Sequence, residues 1–247
     1  MNDSLRSRAV SLIPTGELVL TCSNIDALPL FGLLDEDGRR PGYEPAVGEL
    51  VAEALGVHLT WNIEQWADMV PSIERSGVHA VLCGQAVTPE RRRAVGFTRP
   101  YAVFGEAVLA RKGSGISSAA DLSGKKVGAI DGSVNLKLAR SFDGAHAVPF
   151  DAASDDVFND MLDALEAGVV DAIIDDDVAM APLLDRFDVG FHVPTRNASA
   201  IAVSQTRPDL RDLLDDALAD VIGSGALRRA WNSWLVEIPY PAEVLGG

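Results

Sequence analysis

The sequence predicts an α/β fold with mainly parallel sheets. Three observations carry that prediction. Apolar runs of strand length alternate along the chain with longer stretches whose apolar residues recur at helical spacing. Glycines and polar turns stand between them, as at Gly77, Gly84, Gly168 and the segment Leu34-Asp35-Glu36-Asp37-Gly38-Arg39. Strand and helix alternate from one end to the other rather than falling into separate blocks, which is the pattern of parallel sheets flanked by helices.

Residues 17–23 read as a short buried strand. The helix that follows covers residues 46–55, with Val47, Leu50, Val51, Ala54 and Leu55 on one face. Residues 57–63 form a second strand, and residues 66–76 a second amphipathic helix that ends at Gly77. Residues 80–83 are a strand leading into Gly84. Thr88 is a good N-cap and Pro89 suits a first helical position, so a helix is expected to open there.

The second half repeats the style. Strands are expected over residues 104–110, 126–130, 170–174 and 200–203. A short helical turn covers residues 118–122. Helices are expected from Ser133 to Ser141, over residues 156–167 up to Gly168, and over 208–223 and 226–234 at the end. No internal repeat and no Pro/Gly/Ser linker is present. A two-domain chain therefore needs strands that pass from one lobe to the other, and residues 104–110 and 198–203 are the candidates.

The totals exclude several function classes. A chain of 247 residues, 47% of them hydrophobic, can bury a sizeable core in one or two domains. Its net charge of -15 disfavours a nucleic acid or an anionic membrane as partner, because both need a basic face. One well-placed arginine can still hold an anion. The two cysteines, Cys22 and Cys83, lie in apolar strand-like runs and belong to no C-x-x-C or metal spacing. They read as buried free thiols, with a disulfide as the alternative. His58, His79, His146 and His192 have no partner spacing and read as surface or satisfied side chains. The N-terminal stretch has no apolar core of signal-peptide length, and no run approaches the ~18 apolar residues of a membrane span. The chain is expected to be cytoplasmic, or to have lost an export segment.

Three stretches can hold a small anion or zwitterion. In Gly84-Gln85-Ala86-Val87-Thr88-Pro89-Glu90-Arg91 a strand ends at a glycine and a helix is expected to start. Unpaired N–H groups at such a start suit a carboxylate, and Arg91 can add a bidentate, charge-assisted pair. The plainer reading is a capped surface helix with solvated arginines. In Val127-Gly128-Ala129-Ile130-Asp131-Gly132-Ser133 a strand again meets a helix, and Gly132 allows close approach while Ser133 offers a hydroxyl and an N–H. This is neither G-x-G-x-x-G nor a P-loop. In Asp171-Ala172-Ile173-Ile174-Asp175-Asp176-Asp177 a buried strand ends in carboxylates, where α/β proteins place their ligand crevice. Asp175 there can hold an ammonium group. The plainer reading is an acidic solvated loop. No metal, cofactor or catalytic residue is implied. There is no Gly-x-Ser-x-Gly and no convincing Cys–His pair.

These stretches resemble the amino-acid (family 3) extracellular solute-binding proteins of ABC importers. The resemblance runs from about Gly16 to Trp234. It is carried in order by Pro29-Leu30-Phe31, Gly42-Tyr43-Glu44, Trp66, Thr88-Pro89-Glu90-Arg91, Phe97-Thr98-Arg99-Pro100-Tyr101, Asp121-Leu122-Ser123-Gly124-Lys125-Lys126-Val127-Gly128, Gly132-Ser133, Gly168-Val169-Val170-Asp171-Ala172 and Trp231. It implies a two-lobed periplasmic-binding-protein type II fold, each lobe a mainly parallel sheet flanked by helices, joined by two crossover strands. Lobe one would comprise residues 1–105 and 203–247, and lobe two residues 106–202.

The resemblance also implies an amino acid or related carboxylate as ligand, held in the inter-lobe cleft. Arg91 would take the α-carboxylate with help from Ser133 and Gly132, and Asp175 the α-ammonium. Backbone groups at Gly84 and Ala86 would complete the shell, and Leu28 and Trp66 would wall it. A monomer, outside the cytoplasm and delivering to an ABC permease, is the family's pattern, with a sensor as the alternative use of the same binding. The sequence departs from that pattern at Leu28, where an aromatic is usual, and at Leu30, Ala46, Ala80, Ala86 and Val134. A cleft with fewer hydroxyls and no stacking ring suits a ligand other than a standard polar amino acid, or one held by backbone. Two rivals follow. One is an elimination enzyme resembling cyclohexadienyl (prephenate/arogenate) dehydratases, with Asp131, Asp176 or Asp177 as its acid. The other is a degenerate regulatory module that binds little.

Overall fold

The computed structural model describes residues 3–246. In chain order the helices and strands are α1 (Asp3–Leu12), β1 (Glu17–Cys22), α2 (Tyr43–Leu55), β2 (His58–Ile63), α3 (Trp66–Ser72), β3 (Ala80–Val81), β4 (Val95–Arg111), β5 (Lys126–Ile130), α4 (Val134–Ser141), β6 (His146–Phe150), α5 (Val157–Glu166), β7 (Ala172–Asp176), β8 (Phe187–Ser204), α6 (Pro208–Gly223), α7 (Ala226–Trp234) and α8 (Ala242–Leu245). Short 3-10 turns lie at Arg91–Arg93, Ala119–Leu122 and Asp177–Leu183. No helix among the described residues is long and apolar enough to cross a membrane.

The chain gathers into two compact units. Unit 1 comprises the chain up to Asn24, Pro29–Val103, and the chain from Asn197 onward. Unit 2 comprises Phe104–Arg196 and the short stretch Ile25–Leu28. The long strands β4 and β8 each give residues to both units, dividing after Val103 and after Arg196.

In unit 1, β1 pairs in parallel with β2 on one side and β3 on the other. β3 meets β8 antiparallel, Val81 opposite Ala202. The middle strand is apolar and sealed: Leu18 and Leu20 have no exposure. Helices α2, α6 and α7 pack together beside this sheet, and α2 meets α7 through a buried aromatic group. Tyr43 meets Trp231 edge to face at 5.3 Å and Tyr101 at 6.4 Å, and its hydroxyl donates to Tyr101 O at 2.6 Å. The approach to α2 demands a glycine. Gly42 sits at φ 130°, and a Cβ there would lie 2.4 Å from Leu30 O.

Unit 2 repeats the arrangement. β5 pairs in parallel with β6 and β7, and β7 pairs antiparallel with β4. Val108, Leu122, Val127, Leu136, Ala172 and Ile174 form the centre of its core. Gly128 lets β5 lie close to β6, since a Cβ there would meet the Phe150 ring at 2.6 Å.

Several expectations change in the structure. The helix expected after Thr88 is only the three-residue turn Arg91–Arg93. Thr88 does cap it, its Oγ1 accepting from Arg91 N–H at 3.1 Å. The chain then enters β4 at Val95, where Phe97 and Tyr101 are buried and draw the segment into a sheet. The strands expected over 104–110 and 200–203 are the far parts of the much longer β4 and β8. The second helix stops at Ser72, one residue after Pro71. Helices α1 and α8 and strand β6 carry no strong local pattern and were not anticipated.

Candidate functional site

The segment Gly84–Arg91 lies wholly in unit 1. Gly84 takes φ 55°, a left-handed turn that lets the chain leave β3 sharply. Its N–H points at a carboxylate of the protein itself: Glu44 accepts it at 2.9 and 3.1 Å through its two oxygens. Tyr101 Oη–H donates to the same carboxylate. Glu44 has no solvent exposure, and burial pushes its carboxyl up to about 6, although the bonds from Tyr101 and Gly84 and the charge of Arg40 oppose the rise. Ala86 bridges antiparallel to Ser199, and its carbonyl accepts from Arg91 Nη1 at 3.2 Å. The structure thus brings Gly84, Ala86 and Arg91 together around one turn. A three-residue turn lacks the aligned peptide dipoles of a helix start. The anion-attracting group of this segment is therefore the Arg91 side chain. Trp66 opens α3 and is half-buried.

In unit 2, Ser133 caps α4: its Oγ accepts from Leu136 N–H at 3.0 Å. Gly132 precedes it at φ 73° and is open to solvent. Two residues into the helix, Asn135 Nδ2 donates to Asp175 Oδ1 at 3.2 Å. Asp176 N–H donates to the same oxygen at 2.8 Å. Burial pushes the Asp175 carboxyl up to about 6, opposed by the Asp176 N–H. Asn135 Oδ1 is buried and has no protein partner. The first turn of α4, which Ser133 caps, therefore meets the end of β7 through the Asn135–Asp175 hydrogen bond. Leu28 is about one-third exposed, on the Ile25–Leu28 stretch. Asp177 accepts from the N–H groups of Gly105 and Val178, and burial raises it while His192 opposes. Asp131 is exposed.

Among the described residues, no group of three or more His, Cys, Asp or Glu side chains is arranged to hold a metal. The model for bacterial extracellular solute-binding proteins, family 3, matches residues 20–237. The chain belongs to this family. One relative is the L-cystine-binding protein TcyJ of Escherichia coli (strain K12), 27% identical over 213 residues, which cover 83% of this chain and 78% of TcyJ. An ancestral arginine-binding protein, solved with arginine bound, has 26% identity and a TM-score of 0.78. That match covers 89% of this chain and 98% of the other. The ancestral amino acid-binding protein AncCDT-1, a precursor of cyclohexadienyl dehydratase, has the same fold, with a TM-score of 0.78. At 21% identity, over 91% of this chain and 97% of that one, its likeness speaks for the fold alone. These solved neighbours are amino-acid-binding proteins, and this chain has their fold.

Reading the sequence missed two groups within this family frame. Glu44 stands in the quoted Gly42-Tyr43-Glu44 stretch, but no local pattern ties it to Gly84, 40 positions away. Asn135 follows Ser133 by two residues, and a polar side chain in the first turn of a helix next to Gly132-Ser133 was the available signal.

Proposed function

We propose that this family 3 protein binds an amino acid or a related small carboxylate, performs no chemistry on it, and serves an ABC-type importer from outside the cytoplasm. The observation that carries this reading is the Asn135–Asp175 pair. Both protein hydrogen bonds to Asp175 go to Oδ1, and the buried Asn135 Oδ1 stands without a donor. Two acceptors side by side, one a carboxylate, call for a cationic N–H group. An α-ammonium supplies one. Arg91 is the matching cation for an α-carboxylate. Ser133 adds a hydroxyl, Ala86 a carbonyl, and Trp66 and Leu28 apolar walls; Gly132, whose N–H donates to Asp131 Oδ1, contributes its turn. Gly84 contributes its turn rather than its N–H, which Glu44 occupies. Relatives that bind cystine or arginine support the amino-acid class.

The test is a thermal-shift panel of free amino acids, cystine, close derivatives and prephenate, on wild type and Arg91→Ala. A ligand at ~1,000 times its dissociation constant adds ~4 kcal/mol of stability. A hit that Arg91→Ala loses supports carboxylate capture. If no carboxylate shifts the wild type, the reading fails. Turnover of prephenate would instead favour elimination chemistry, for which Asp177, half-buried and raised, is the available acid.

A further inference from the structure

Cys22 and Cys83 take no part in the ligand reading. Cys22 ends β1, and Cys83 lies two residues past β3. The two strands are parallel neighbours, with Leu20 opposite Ala80 and Thr21 opposite Val81. The ladder continues one step further, Leu82 N–H donating to Thr21 O at 3.0 Å. The sequence places these cysteines 61 positions apart, yet the fold leaves their sulfurs 3.1 Å apart. Both side chains are buried, at 1% and 0% exposure, and both are free thiols. Ser23 adds to the group: its N–H reaches Cys83 Sγ at 3.5 Å, and its Oγ lies 3.4 Å from the same sulfur.

The surroundings make the two thiols unequal. Burial raises Cys22, whose S–H donates to Cys83, and the Arg40 charge only partly offsets the rise. Burial also acts to raise Cys83, but the bonds from Cys22 and Ser23 bring it below the usual thiol range. Arg40 is itself 5% exposed, and its two terminal guanidinium nitrogens have no protein partner. Its Nε donates to Gly32 O and its guanidinium lies over the Phe31 and Trp61 rings; its charge favours the Cys22 thiolate, while Glu44 acts the other way.

We propose that Cys22 and Cys83 are a disulfide pair, which closes under oxidising conditions and ties the end of β1 to the Gly84–Arg91 segment. The reaction is thiol–disulfide exchange with a small disulfide such as oxidised glutathione. The Cys83 thiolate attacks one sulfur of the oxidant; that S–S bond breaks, and one glutathione leaves as thiolate. Cys22 then loses its proton and attacks Cys83 Sγ, forming the protein disulfide and expelling the second glutathione thiolate. Two electrons pass from the protein thiols to the oxidant, and the released protons go to solvent. Since both sulfurs are buried, exchange takes place while the chain is folding or locally open. The bond closes a long loop, which is where a crosslink most restricts the unfolded chain. It also fixes the residue just before Gly84, whose N–H Glu44 already holds.

The experiment refolds the wild type in buffers of reduced or oxidised glutathione, unfolds it with a maleimide present, and counts the label by mass spectrometry. The expected result is two labels on the reduced protein and none on the oxidised monomer, with a proteolytic fragment joining Cys22 to Cys83. The oxidised form should melt several degrees higher, and Cys22→Ser and Cys83→Ser should each lose that response. Two labels on the oxidised wild type, or joined fragments found only in dimers, would overturn the proposal. The wild-type count decides the matter even if a serine variant fails to fold. It uses no ligand, so its outcome is separate from that of the ligand panel.

Discussion

Asp175 is the residue on which pH and ligand should meet. Its carboxyl is pushed from 3.8 up to about 6, so in the ligand-free protein it holds its proton at any pH below about 6. A raised carboxyl contributes stability that is fully present below the unfolded value and is lost as pH rises through about 6. An ammonium ligand needs the opposite form. Affinity for an amino acid should therefore be flat above about 7 and fall toward tenfold per pH unit below about 6. Calorimetry with L-arginine or L-cystine across that range reads it, and Asp175→Asn should weaken binding and flatten the profile. Glu44 has the same sign without the ligand. Its rise from 4.5 to about 6 corresponds to roughly 2 kcal/mol of folding stability lost between those pH values. Urea unfolding of Glu44→Gln should lack that part of the pH dependence. If the variant loses stability equally at pH 5 and pH 8, the burial account of Glu44 is wrong.

Elements decide how these residues are held. Helix α4 starts where it does because Ser133 caps it, and that start aims Asn135 at Asp175. Ser133→Ala should cost about 1 kcal/mol in denaturant unfolding, as lost caps do. If Ser133 also serves a ligand, affinity should drop by more than the stability loss explains. Entry into α2 is tighter still. Gly42→Ala would force a Cβ to 2.4 Å from Leu30 O at a φ that side chains avoid, so it should destabilise by roughly 2 kcal/mol or more. A change within about 0.5 kcal/mol would show that the chain before α2 gives way easily. The turn at Arg91 shows the limit of local chemistry. Thr88 Oγ1 accepts the Arg91 N–H, yet the expected helix from Pro89 does not form and the segment makes a single turn from Arg91, because Val95, Phe97 and Tyr101 are buried in a strand just beyond.

At the scale of the molecule, the net charge of -15 acts against compactness. Screening should relieve part of that repulsion, so the thermal midpoint should rise between low salt and about 0.5 M sodium chloride. A falling midpoint would mean that surface ion pairs such as Arg8–Asp216 and Arg99–Asp215 outweigh the repulsion. Each unit repeats one plan, three parallel strands with a long antiparallel strand beside them, and in both units that long strand also belongs to the other unit. This is why no linker appears in the sequence: the connection is made of strand.

The sequence by itself determined what depends on near neighbours. Alternating strands and helices, the ends of α6 and α7 and the carboxylate closing β7 follow from periodicity and local chemistry, which act within a few residues. The motif order also supplied Arg91 and Asp175 as the residues on which the proposed ligand contacts rest. Only the tertiary structure decided that Glu44 takes the Gly84 N–H, that Asn135 turns to Asp175, and that Cys22 meets Cys83 across 61 positions. It likewise seated α1, with Leu5 and Ala9 buried, where the sequence carried only a weak helical stripe. These contacts join segments far apart in the chain. Their energy comes from burial and from pairing groups that burial strips of water, and neither leaves a local mark in the sequence.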